Sequence, residues 1–116
     1  MKLSGEGKLL RIFLGESDHY KHQSLSNAIV LKAREQGLAG ATVFRGVEGY
    51  GAASHVIHTA KILRLSEDLP LLIEIVDTKE KILAFLPVVE AMLEEVGCGA
   101  MVTMEKVDII KYTPGK

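Results

Sequence analysis

Two His-x-x-His pairs are the residues whose spacing most directly suggests metal chemistry. They are His19 with His22, and His55 with His58. Side chains three residues apart share a face on one helical turn, and neutral imidazole is a common ligand of zinc and copper. Neither pair has a cysteine pair or a trio of carboxylates nearby to complete a site. Divalent-metal binding by these pairs is therefore an alternative function, beside their interpretation as solvated loop histidines.

The candidate nucleophiles and bases lie in settings that do not favour catalysis. The serines close to histidines, at residues 17–19 and 54–55, lack the strand-turn-helix pattern of a nucleophile elbow. Cys98 lies between two glycines at the end of a predicted helix, where the helix dipole does not activate a thiol. Glu48 is a single loop carboxylate. We therefore predict no catalytic residue and no enzymatic activity.

Composition limits the class of protein further. A chain of 116 residues is expected to form one domain, and an apolar fraction of 47% is high enough to suggest a subunit interface. With 14 basic and 15 acidic residues, the chain has no electrostatic footprint for nucleic acid. Residues 1–8 contain no apolar core of a signal peptide, no stretch reaches the apolar length of a membrane span, and the single cysteine fits a reducing compartment. We expect a cytoplasmic protein without membrane insertion.

Hydrophobic periodicity predicts four strands and two helices. The strands are expected over residues 8–15, 41–45, 71–76 and 100–112, and the helices over residues 25–36 and 79–96. Gly37 and Gly97 are expected to end the helices in the left-handed conformation, and Asp77 is expected to cap the second helix. The remaining segments are a flexible leader (1–7), a polar loop (16–23), a long functional loop (47–69) and a tail (113–116). Within the long loop, residues 55–65 fit either a hairpin arm or a helical turn.

The order of the predicted elements is β-α-β, loop, β-α-β. The halves also echo each other, because both place glycines where a helix turns into a strand, at residues 37–40 and 97–99. Right-handed crossovers then predict an α+β, ferredoxin-like βαββαβ sandwich, in which two helices cover one face of a four-stranded antiparallel sheet. The other face, with Leu9, Phe13 and one side of the 71–76 strand, is expected to need cover from another subunit.

The glycine-rich centre of the chain resembles the PII signalling proteins. The shared features are the stretch 35–51 with its Gly-Tyr-Gly step, His-Thr-Ala at 58–60, and Leu-Ser-Glu-Asp-Leu-Pro at 65–70 running into Ile-Glu-Ile-Val-Asp at 73–77. These motifs keep their order and spacing over residues 9–112, and they resemble most the PII-like domain-of-unknown-function 190 family, which has no assigned role.

The resemblance implies a homotrimer with clefts between subunits, which hold an adenine nucleotide in PII proteins. Carried over by position, the cleft residues are Thr42, Gly49, Tyr50, Gly51, Gly97, Gly99 and Lys111. Glycine amides can cradle an anion, and a lysine supplies a point charge. The turn at residues 97–99 is shorter than the phosphate-binding turn of PII proteins, and Lys111-Tyr112 replaces their arginine pair. A smaller or less charged ligand, or weak nucleotide binding, is therefore expected.

The same resemblance implies a regulatory role. A ligand in the cleft is expected to favour one state of the loop over residues 47–69, which then contacts a partner protein. By analogy, the partner is a membrane transporter or a metabolic enzyme.

Overall fold

The structure, a computed structural model, describes residues 4–51 and 69–115. Its elements are, in chain order, β1 (Gly5–Gly15), β2 (His19–Tyr20), β3 (Gln23–Ser24), α1 (Leu25–Glu35), β4 (Thr42–Arg45), β5 (Pro70–Asp77), α2 (Lys79–Val96) and β6 (Met101–Ile109). The α+β, ferredoxin-like prediction is confirmed: β4, β5, β1 and β6 form a four-stranded antiparallel sheet in that order, and both helices pack on one face.

The core lies between this sheet and the helices. Alternate residues of β1 and β5 face the helices and are buried, as the predicted period of two requires. The helices contribute apolar residues at steps of three and four, and the most deeply buried of all these side chains include Phe85, Leu10, Ile12, Ile29 and Ile73. The predicted position of β5 inside the sheet is confirmed, since it pairs with β1 on one side and β4 on the other.

Of the three predicted helix ends, two agree with the structure and one differs. Gly37 and Gly97 are left-handed, with φ of 76° and 72°, and Ser24 caps α1 by accepting from the Asn27 amide. Asp77 was predicted as the cap of α2, and this is wrong. Thr78 is the cap, because its hydroxyl accepts from the Lys81 amide, while Asp77 is the last residue of β5 and is fully buried.

Two segments predicted as irregular contain strand. The leader prediction is wrong for residues 5–7, because β1 begins at Gly5 and pairs there with the end of β6. Residues 16–23 were predicted as a loop, but they include β2 and the first residue of β3, which form a short hairpin. The first of these pairings has no local signal, since the partner of residues 5–7 lies about a hundred residues away in the sequence.

The long loop lies only partly within the described residues. Residues 46–51 belong to no helix or strand, and Leu69 directly precedes β5. Residues 52–68 are not among the residues that the structure describes. The predicted tail, over residues 113–115, likewise has no helix or strand. Among the residues that the structure describes, no helix is both long and apolar enough to cross a membrane.

Candidate functional site

Two of the predicted site residues, Thr42 and Lys111, line one cavity of about 360 Å³. Ala39, Gly40, Ala41, Glu74, Val76, Ile109 and Tyr112 complete its lining. Ligand pockets in proteins are typically of this volume or larger, with apolar walls and a few polar groups. Both properties are present here, so this cavity is the candidate site.

The cavity forms where three separate parts of the chain meet. Thr42 begins β4, and Glu74 is its register partner in β5, so both side chains lie on the sheet face that the helices leave open. Residues 39–41 approach from the end of α1, and residues 109–112 approach from the end of β6. Contacts between residues so distant in sequence depend on strand register, which is a tertiary property.

The charges around the cavity are unequally compensated. The Lys111 ammonium has no hydrogen bond or ion pair within the described residues, whereas the Glu74 carboxylate accepts from Arg11 Nε at 2.9 Å. Arg11 also donates to Glu105, and the hydrogen bond to Glu74 raises the pKa of Arg11 above its ordinary value. Lys111 is therefore available to an anionic ligand, and the Glu74 carboxylate keeps lone pairs that can accept from ligand hydroxyls.

The predicted glycine step lies beyond the other end of β4. β4 runs from Thr42 to Arg45, and Gly49, Tyr50 and Gly51 follow it rather than preceding it. Gly49 has φ of 144° and lies beside Pro70, and the Tyr50 side chain is 82% exposed. A single chain therefore does not bring the glycine step to the cavity.

Gly97 and Gly99 do not line the cavity. They form the connection from α2 to β6 and precede the start of that strand, whereas the cavity is lined by Ile109 at its end. Burial, with a contribution from the Asp18 charge, raises the pKa of the Cys98 thiol between them. A single chain therefore does not bring this turn to the cavity.

The structure adds residues that the sequence did not single out. Glu74 and Tyr112 line the cavity together with residues 39–41. One signal for Glu74 was available, because it is the only charged residue in the otherwise apolar stretch 71–76. Tyr112 also had a signal, because Lys111-Tyr112 replaces the arginine pair of PII proteins. The role of residues 39–41 depends on where the chain passes before β4.

The histidine pairs do not form the predicted geometry where the structure describes them. His19 is in β2, His22 is in the turn of the hairpin, and the His19 Nδ1 donates to the Ser17 carbonyl at 2.7 Å. The helical turn on which that hypothesis was based is absent at His19 and His22, and metal binding by this pair stays a prediction. Within residues 4–51 and 69–115, no group of three or more potential ligands could hold a metal. His55 and His58 lie outside the described residues.

The sheet face opposite the helices has an apolar row at one end. Phe44, Leu72, Phe13 and Met101 are successive register partners, one from each strand across the full width of the sheet. Phe13, Phe44 and Met101 are 38%, 49% and 58% exposed. Leu9, also predicted for this face, is already buried within the chain. A contiguous apolar row of this kind is typical of an interaction surface.

Comparison with known proteins identifies the family. The DUF190 family model, described as Uncharacterized ACR, COG1993, matches residues 7–109. A UPF0166 protein of Aquifex aeolicus (strain VF5) is 36% identical over 103 residues, which are 89% of this chain and 92% of that protein. The UPF0166 protein MJ1524 of Methanocaldococcus jannaschii is 37% identical over 82 residues, 71% of this chain and 74% of that protein.

Solved structures show the same fold at lower identity. CPII from Thiomonas intermedia K12, a nitrogen regulatory PII-like protein bound to ADP, AMP and bicarbonate, superimposes with a TM-score of 0.65 at 18% identity, covering 95% of this chain and 92% of CPII. The complex of CPII with ADP, AMP and acetate gives a TM-score of 0.64 at 17% identity, covering 96% and 94%. The chain therefore belongs to the DUF190 family, and its fold is that of the PII-like proteins.

Proposed function

We propose that this protein is a PII-like regulatory protein that binds an adenine nucleotide in the cavity lined by Thr42, Glu74 and Lys111. The observation that carries the proposal is the convergence of Thr42 and Lys111 on one cavity of about 360 Å³. Adenine nucleotides are bound by CPII, a protein of the same fold. That fold likeness supports an adenine nucleotide as the ligand class. The positive charge of Lys111 supports binding of the nucleotide's anionic phosphates.

The cavity has a group for each part of such a ligand. Lys111 contacts the phosphates, Thr42 and Glu74 bind the ribose hydroxyls or the base edge, and Val76 and Ile109 offer apolar contact to the base. Among the described lining residues, Lys111 is the one cation without a compensating partner, so the cavity can neutralise few negative charges of a ligand. AMP or ADP is therefore a better match than ATP.

We further propose that three copies assemble through the open sheet face. The apolar row of Phe44, Leu72, Phe13 and Met101 supports this assembly, because each exposed side chain gains by leaving water. In such a trimer, a neighbouring subunit supplies the glycines at residues 49–51 or 97–99 that one chain keeps away from its own cavity. The complete nucleotide site then lies between subunits.

In the regulatory step, the segment over residues 47–69 contacts a partner protein in the cytoplasm, such as a transporter or a metabolic enzyme. Val47 and Tyr50 support this role, since 94% and 82% of these side chains are exposed and both are large and apolar in part. The ligand regulates the contact by binding one arrangement of the segment better than another.

Isothermal titration calorimetry with ADP, AMP and ATP tests the nucleotide proposal. Lys111→Ala is expected to weaken ADP binding about 10- to 100-fold, because a charge-assisted hydrogen bond contributes about 1.5–3 kcal/mol. Lys32→Ala is the matched control, since Lys32 is a surface lysine of α1 that does not line the cavity. No measurable binding of any of the three nucleotides, or equal affinities in the two variants, would contradict the proposal.

A further inference from the structure

Asp77 is a fully buried carboxylate at the junction of β5 and α2, and its predicted role as a helix cap does not explain its burial. It does not cap α2, and it does not line the cavity. Its two oxygens have separate partners: Oδ1 accepts from the Thr78 amide at 2.7 Å, and Oδ2 accepts from the Ala39 amide at 2.9 Å. Asp77 thus joins the start of α2 to the chain segment that precedes β4.

That segment, residues 39–41, is a thin wall between two cavities. On one side is the candidate nucleotide cavity, and on the helical side is a smaller cavity of about 240 Å³ lined also by Val30, Ala33 and Arg34. With open space on both sides, packing alone holds the wall weakly. Its hydrogen bonds are the Asp77 bond at Ala39 and, just before it, the bond from the Leu38 amide to the Ala33 carbonyl at 3.1 Å and the bond from Lys81 Nζ to the Gly37 carbonyl at 2.7 Å.

A carboxylate suits this position better than its amide. Each oxygen of Asp77 faces one N–H group, so an asparagine would direct its NH₂ group at one of the two donors. The negative charge lies at the start of the 18-residue α2, where the helix dipole stabilises it. The position of Ala39 therefore depends on a side chain that does not line the cavity.

We infer that Asp77 is a positioning residue of the nucleotide cavity, which sets the wall at residues 39–41 through the Ala39 amide. This inference rests on the proposed function for the identity of the ligand. Loss of the Asp77–Ala39 bond moves the wall, changes the cavity on its open side and weakens ligand binding. It does so without removing any group that contacts the ligand.

The test compares Asp77→Ala with Thr78→Ala. Both variants alter the start of α2, but only the first removes the acceptor of the Ala39 amide, so Thr78→Ala controls for a general loss of stability. The two readouts are the ADP affinity by calorimetry and the ¹⁵N-¹H resonances of residues 39–41. Asp77→Ala is expected to weaken ADP binding at least about tenfold and to shift these resonances, whereas Thr78→Ala changes neither.

Equal ADP affinity in the two variants would overturn the inference. If the unaltered protein does not bind ADP, the proposed function fails, and the resonances alone decide the role of Asp77: unshifted wall resonances in Asp77→Ala reject it, and shifted ones support it. If Asp77→Ala does not fold, amide hydrogen exchange in the unaltered protein decides. An Ala39 amide that exchanges as fast as that of Gly40 refutes the tie to Asp77, and strong protection of Ala39 alone supports it.

Discussion

The Glu16 carboxylate binds the Arg45 guanidinium, accepting from both its Nε and its Nη2, the latter at 3.1 Å. It also accepts from the Leu69 amide at 3.4 Å, while its own amide donates to the Leu69 carbonyl at 3.0 Å. Arg45 is the last residue of β4 and Leu69 directly precedes β5. Glu16 thus links the two ends of the long connection between β4 and β5. This connection contains the segment that we propose to make the regulatory contact.

This relationship predicts a pH dependence of stability. The hydrogen bonds from Arg45, with a smaller contribution from the Leu69 amide, hold the pKa of Glu16 below its ordinary value of 4.5. Because the folded-state pKa is lowered, the stabilisation is complete above the pKa of the unfolded chain and is lost as the pH falls through the folded-state value. Glu16→Gln is therefore expected to lower the melting temperature at neutral pH, with the difference from the unaltered protein shrinking below about pH 4.5.

Thermal unfolding from about pH 3 to 7 measures this effect. Glu90→Gln, an exposed glutamate of α2, is the control and is expected to leave the profile unchanged. A constant difference between Glu16→Gln and the unaltered protein over the whole range would refute the role of the ion pair. Since the pair is partly exposed to solvent, the effect is also expected to decrease at high salt.

The open sheet face predicts a second outcome, in the oligomeric state. Phe44→Ser is expected to weaken self-association at least about tenfold, because burying a phenylalanine side chain contributes about 1.5–3 kcal/mol. Leu83→Ser is the matched control, since Leu83 is a comparably exposed apolar residue on α2. Sedimentation equilibrium distinguishes the two variants. A monomer at micromolar concentration, before any substitution, would contradict assembly through this face.

Gly7 and Gly40 differ in the space available to a side chain, and this difference tests the packing of the N-terminal strand. A Cβ at Gly7 would lie 2.6 Å from Ile109 Cδ1 and 2.8 Å from the Asp77 carbonyl oxygen, whereas a Cβ at Gly40 has nothing within 4 Å. Gly7→Ala is therefore expected to destabilise the fold by about 1–3 kcal/mol, and Gly40→Ala to be nearly neutral. Urea unfolding of both variants measures the difference. Equal stabilities would show that residues 5–7 do not pack as described.

The Cys98 thiol is expected to react slowly. Burial, with the nearby Asp18 charge, raises its pKa above the ordinary value of 9.0, and the thiolate is the reactive form. Alkylation by iodoacetamide near pH 8 should therefore be slower in the folded protein than in guanidinium chloride, which removes both effects. Equal rates in the two conditions would exclude this environment for Cys98.

The sequence by itself determined the two helices and the four strands of the main sheet, and their order. The period of two in β1 and β5, and the steps of three and four in the helices, reflect burial on one face, which each element encodes locally. Gly37 and Gly97 end their helices as predicted, because the left-handed conformation favours glycine whatever surrounds it. These features can be predicted because they depend only on residues that are close in sequence.

Only the tertiary structure decided the rest. Residues 5–7 of the predicted leader are part of β1 because β6 pairs with them, and Asp77 is a buried hydrogen-bond acceptor because β5 ends beside Ala39. The seven predicted site residues share proximity to glycines or strand ends, yet only Thr42 and Lys111 meet within one chain. Their meeting depends on the register of β4, β5 and β6, which is set by pairing between residues far apart in sequence and leaves no local pattern to read.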